Sequence, residues 1–233
     1  MPRKPTQLRS VSIEPHPSRA AGSVVITQGR TRVLCTASIE RDVPRWLIDA
    51  ATGEATRGWV TAEYAMLPGS TPDRKKRGPD SRSTEIQRLI ARVLRAAVDL
   101  EKMPGVLVTC DCDVLVADGG TRTSAITGAF VALAQALRQA RDQGLIADDP
   151  VRGPVAAVSV GIIAGRPHLD LDYELDVRAE VDLNVAMNDQ GQFIEVQGTA
   201  EGAAFSRGQL DELLDLAGAG IAELIRVQRD AVK

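Results

Sequence analysis

The sequence predicts an α/β protein, a mixed sheet packed with helices. Two observations carry that prediction. Stretches of apolar–polar alternation (23–39, 59–66, 181–187) are interleaved with stretches whose apolar residues step by three and four (84–101, 123–139 and the C-terminal segment). No internal repeat and no interdomain linker interrupts them, so residues 1–233 are expected to form one domain. A hydrophobic content of 44% beside 25% charged residues supports a folded, soluble chain.

Val24 and Ile26 alternate before Gln28-Gly29, and Val33, Cys35 and Ala37 alternate after it, which predicts a hairpin. A strand is expected over 59–66. Residues 68–83 hold three prolines, two glycines and a charge run, and read as a loop within the domain. Ile86, Leu89, Ile90, Val93, Leu94, Ala97 and Val98 then define a helix over 84–101, with Thr84 and Gln87 in capping-box spacing. Residues 106–116 read as a strand. After Asp118-Gly119-Gly120, a nearly apolar helix is expected from about Thr123 to Gln139, central to the core because it is apolar all round. Residues 155–163 form an apolar strand, and 168–176 and 181–187 alternate as strands with their acids on one side. Phe193, Glu195 and Gln197 begin another. Ser206 and Gln209 fit a capping box for the last helix, with Phe205 and Leu210 as its hydrophobic staple.

The net charge of −3 excludes a global positive field, so any nucleic-acid partner must be held by a local patch. Three cysteines, Cys35, Cys110 and Cys112, lie in apolar settings and do not suggest a disulfide framework; a reducing cytoplasm fits them. No run of eighteen apolar residues predicts a membrane span, and MPRKPTQLRS lacks the apolar core of a signal peptide. His16 and His168 stand apart, so zinc is unsupported.

Three local features carry chemistry. Between Arg74 and Arg95 there are eight Lys or Arg and only two acids, a patch suited to a phosphodiester backbone or, equally, to a solvated face. Gly119-Gly120-Thr121-Arg122-Thr123 joins a strand to a helix. Its glycines let the backbone approach an anion, and free N–H groups, the Thr121 hydroxyl and the Arg122 fork can bind phosphate. The spacing matches neither a P-loop nor a dinucleotide fingerprint. Between Asp170 and Asp182 there are six acids and one base. Asp176 and Asp182 could meet at one sheet edge and hold Mg²⁺ with waters and substrate phosphates; the plainer reading is the wet face of a sheet. Together the three features suit in-line chemistry on a nucleic-acid phosphodiester.

The stretches GWVTAEYAMLPGST (58–71), RSTEIQRLIARVLRA (82–96), CDVLVADGGTRTSAITGAF (112–130), DYELDVRAEVDLNVAM (172–187) and IEVQGTAEGAAFSR (194–207) closely resemble the ribonuclease PH family. The resemblance runs from about Gln7 to the C-terminal helix. It implies a fold like domain 2 of ribosomal protein S5. It also implies a phosphate-dependent 3′→5′ exoribonuclease and tRNA nucleotidyltransferase that trims tRNA precursors, releases nucleoside 5′-diphosphates and works as a homohexamer, a trimer of dimers. Carried over by position, it implies phosphate contacts at Arg82, Gly120, Thr121 and Arg122. It implies catalytic, Mg²⁺-holding aspartates at Asp176 and Asp182, and RNA-guiding arginines at Arg74 and Arg77. Whether Asp182 instead assists proton transfer is left open. Two departures stand out: the 69–81 loop is shortened, and the opening keeps Gln7-Leu8-Arg9 but lacks the family's aspartate–glycine–arginine run. The alternatives are an inactive RNA-binding ring subunit and a hydrolytic exoribonuclease.

Overall fold

The computed structural model describes residues 3–78 and 80–232. Among these residues nine strands divide between two sheets. The first holds β1 (Val11–Pro15), β2 (Gly22–Gln28), β3 (Thr31–Glu40), β4 (Trp59–Met66) and β5 (Leu107–Val116) in the order β1-β2-β3-β5-β4. It is mixed: β4 runs parallel to β5 and the other pairs are antiparallel. The second holds β6 (Val155–Ile163), β7 (Arg166–Leu169), β8 (Val181–Asn188) and β9 (Phe193–Ala200) in the antiparallel order β7-β6-β8-β9. The parallel β4–β5 pair needs a long crossover, and α1 (Ser81–Ala96) supplies it.

The expected apolar helix is α2 (Thr121–Asp142), and sixteen of its twenty-two residues are buried. It lies between the sheets. Ile126, Phe130, Leu133 and Leu137 share one core with Ile26, Val33 and Cys35 of the first sheet and with Val155 and Ala157 of the second. Close packing is possible because Gly128 carries no side chain: a Cβ there would come within 2.8 Å of both Cys35 Sγ and Ile26 Cγ2. Cys35 stands directly opposite Cys112 across β3 and β5, and both thiols approach the Ala125 carbonyl, at 3.8 and 3.9 Å. The other face of β6 (Ala156, Val158, Val160, Ile162) packs with Leu213, Ala217, Ile221 and Leu224 of α4 (Arg207–Val232). β6 is therefore buried along its whole length, as its unbroken apolar run requires.

Where the sequence reading and the structure differ, a local hydrogen bond decides. The cap of α1 is Asp80, which accepts from the Ser83 amide at 2.6 Å, so the helix starts three residues before the expected Thr84 boundary and ends at Ala96. The helix α2 starts at Thr121, two residues before the expected start, with Gly120 as its N-cap. The expected 168–176 strand stops at Leu169. Asp170 turns inward with φ +58°, and Asp172 caps a single helical turn, α3 (Tyr173–Asp176), by accepting from the Leu175 amide. Asp170 is fully buried and does not belong to a wet acidic face. At α4 the expected capping box is present: Ser206 N–H donates to Gln209 Oε1 at 2.8 Å and Gln209 N–H to Ser206 Oγ at 3.2 Å. No helix among the described residues is long and apolar enough to cross a membrane.

Candidate active site

The turn between β5 and α2 is the centre of the site. Gly119 and Gly120 have φ of +72° and +64°, the left-handed region that glycine enters without steric cost. A Cβ on Gly119 would also strike the backbone of Leu171, Asp172 and Tyr173 at 2.5–2.7 Å. Gly120 ends the turn, so the first amides of α2 are free of helical partners and carry the positive end of the helix dipole. Thr121 Oγ1 accepts a hydrogen bond from the buried Tyr64 phenol at 2.8 Å.

Arg122 stands at the second position of α2 and reaches across to the second sheet. Its Nη1 donates to Gln197 Oε1 at 3.0 Å and lies 3.6 Å from Glu85 Oε1. Gln197 in turn donates to Glu85 at 3.0 Å. Arg82 lies in the first turn of α1, and its charge acts on both Tyr64 and Asp176. Asp182, on β8 opposite Thr199 of β9, and Asp176, at the end of α3, complete the cluster.

The electrostatics tie these groups together. Burial pushes the Asp176 carboxyl above its ordinary value, against the pull of Arg82 and Arg122. Burial and the Asp176 charge push Asp182 up as well, against Arg122. Two carboxyls of raised proton affinity, Asp182 partly through the charge of Asp176, form a place where a cation is favourable. The pair fits Mg²⁺, which usually takes one or two protein carboxylates and completes its shell with water and phosphate. Among the described residues no group of three or more His, Cys, Asp or Glu gathers that could hold a metal ion.

The structure thus brings together Arg82, Gly120, Thr121, Arg122, Asp176 and Asp182. Arg74 and Arg77 are exposed on the loop between β4 and α1. Sequence reasoning missed Tyr64, Glu85, Gln197 and the Arg9–Asp170 pair. Tyr64 carried a signal, a polar-tipped side chain on the inward face of β4 that must find a partner.

A strand–glycine turn–helix junction facing two arginines and two carboxylates defines a protein built for phosphoryl chemistry. Comparison with known proteins makes the class specific. Residues 7–139 match the model of the 3′ exoribonuclease family, domain 1, and residues 153–220 match its domain 2. The chain is 52% identical to the ribonuclease PH of Corynebacterium efficiens, covering 99% of this chain and 94% of that one. It is 51% identical to a Synechococcus ribonuclease PH, covering 98% and 92%. Its fold superposes on a chain of the Archaeoglobus fulgidus exosome with RNA bound to the active site, at a TM-score of 0.81 and 24% identity, over 99% of this chain and 91% of that one. The chain belongs to the 3′ exoribonuclease family. It is an enzyme, a phosphorolytic 3′→5′ exoribonuclease and nucleotidyltransferase acting on RNA 3′ ends.

Proposed function

We propose that the protein trims the 3′ ends of tRNA precursors in the cytoplasm, and that Arg82, Arg122 and the Gly120–Thr121 turn hold the attacking orthophosphate. The observation that carries this reading is the convergence of Arg82 and Arg122 on Asp176, beside a helix N-terminus with free amides. Positioning matters more than deprotonation, because orthophosphate is already an anionic nucleophile. One of its oxygens attacks the phosphorus of the terminal phosphodiester. The bond from phosphorus to the 3′-oxygen of the penultimate ribose breaks, and that oxygen leaves and takes up a proton. The products are a nucleoside 5′-diphosphate and an RNA one residue shorter. Read backwards, the same groups add a nucleotide from a diphosphate.

Asp176 and Asp182 would hold Mg²⁺, whose chemistry there is to offset charge on the phosphoryl oxygens. The raised proton affinity of both carboxyls supports this role. Arg74 and Arg77 would follow the RNA backbone away from the reacting end. The protein would act as a homohexameric ring, a trimer of dimers. Exposed Phe193 and Val196 on β9, an outer strand of its sheet, suit coverage by a second copy.

The test uses purified protein, Mg²⁺ and a 3′-extended tRNA labelled in its terminal nucleotides, with and without orthophosphate. Phosphate-dependent release of nucleoside diphosphates is the expected result. Monophosphates formed regardless of phosphate would assign Arg82 and Arg122 to substrate binding in a hydrolytic reaction.

A further inference from the structure

We propose that Arg9 and Asp170 are positioning residues for orthophosphate, fixing from behind the direction in which the Gly119–Gly120 turn presents its N–H groups. The proposal rests on the phosphate-site reading above and assigns a task to the Arg9 retained in the otherwise altered N-terminal segment.

Arg9 is buried, and its guanidinium grips two things at once. Nε and Nη2 donate to the two oxygens of Asp170 at 3.0 and 2.7 Å, a paired fork, while the Arg9 backbone N–H adds a third bond at 2.8 Å. From the same guanidinium, Nη1 donates to the Asp118 carbonyl at 2.6 Å and Nη2 reaches the Gly119 carbonyl at 3.5 Å. Thr31 supports the grip: its hydroxyl donates to the Gly119 carbonyl at 2.7 Å and accepts from the Asp118 amide at 2.9 Å.

In a planar trans peptide the N–H points opposite to the C=O it is bonded to. Holding the Asp118 carbonyl toward Arg9 therefore turns the Gly119 N–H away from it. Holding the Gly119 carbonyl does the same for the Gly120 N–H. The buried pair thus sets the orientation of two donors that it never touches. It also explains why residue 120 must lack a side chain for a reason beyond its φ: a Cβ there would lie 2.9 Å from Arg9 Nη2.

Asp170 is anchored in its turn. Gln28 donates to its Oδ1 at 2.8 Å, and Ser124, in the first turn of α2, donates to Gln28 at 2.9 Å. The Asp170 amide donates to the Ser159 carbonyl at 2.7 Å, which fixes the strained backbone at φ +58°. Burial alone would raise the Asp170 carboxyl; the Arg9 contacts outweigh burial and hold it below its ordinary value, so the pair stays ionic.

Arg9→Lys is the decisive variant. It keeps the charge opposite Asp170, but one ammonium cannot span a carboxylate and two carbonyls. Unfolding midpoint, KM for orthophosphate and KM for a 3′-extended RNA are measured side by side. The expected result is a folded protein whose phosphate KM rises at least about tenfold while its RNA KM stays within about twofold, since small misplacements of positioning groups are costly. A folded Arg9→Lys protein with the wild-type phosphate KM, or with both KM values raised alike, overturns the proposal. If Arg9→Lys does not fold, Thr31→Val decides by the same split: a raised phosphate KM with normal RNA KM supports the proposal, and an unchanged one overturns it. Wild-type turnover without phosphate dependence would instead remove the phosphate-site reading itself, and the proposal with it.

Discussion

The phenol of Tyr64 on β4 donates its hydrogen to the hydroxyl oxygen of Thr121 at the start of α2, 2.8 Å away. Burial raises the Tyr64 pKa, and the nearby charges of Arg82 and Arg122 do not undo the shift, so the phenol remains a donor at any working pH. With its oxygen occupied as an acceptor, Thr121 has its own O–H left to donate. Tyr64→Phe should lower stability by about 1 kcal/mol and weaken phosphate binding by a few-fold, the ordinary worth of one buried hydrogen bond. Urea unfolding and phosphate saturation curves measure both; a variant with unaltered phosphate KM would show that the Thr121 hydroxyl is not a ligand.

The two aspartates link activity to stability with opposite signs. Both carboxyls sit above their ordinary value in the folded chain. Between the ordinary and the raised value the folded state binds protons that the unfolded state does not, so their contribution to stability falls as pH rises through that window. Asp182→Asn removes the charge and keeps the shape. It should abolish turnover yet unfold at a higher temperature than wild type at pH 7 in chelator-treated buffer. A lower midpoint would contradict the electrostatic account.

Arg74 and Arg77 are exposed on the loop between β4 and α1. Replacing both with Ala should weaken a long structured RNA more than a short oligonucleotide, and should flatten the salt dependence of binding by about two units of slope, one per lost phosphate contact. Equal losses on both RNAs would place the pair nearer the reacting end. Filter binding across a salt series distinguishes the outcomes.

The reciprocal bonds of Ser206 and Gln209 close the first turn of α4. Ser206→Ala should cost about 1 kcal/mol of stability, the usual worth of an N-cap. Because the cap lies outside the cluster around Arg122, kcat should not change. Thermal unfolding and a rate assay on the same preparation test both halves.

Regular elements were legible because their period is local. The apolar run 155–163 and the Ser206 box predicted β6 and the start of α4 from neighbouring residues alone. The glycine turn was legible because backbone constraint shows in residue type: two glycines before a threonine and an arginine announce a left-handed turn into a helix. What could not be read was set by partners far along the chain. The alternation from His168 to Asp176 is real, yet Arg9, 161 residues away, draws Asp170 inward and ends the strand. Thr84 and Gln87 had capping-box spacing, but Asp80 offered the Ser83 amide a better-placed oxygen. The short β1 has only Val11 and Ile13 as its inward-facing signal and owes its existence to pairing with β2.

The placement of the cysteines has a chemical consequence. Cys35, Cys110 and Cys112 have relative exposures of 0%, 0% and 1%, sealed between the first sheet and α2. Oxidants and alkylating agents can reach them only when that layer parts from the sheet, and the same opening dismantles the glycine turn at the head of α2. Chemical damage to sulfur is thereby expected only in molecules whose core has already opened.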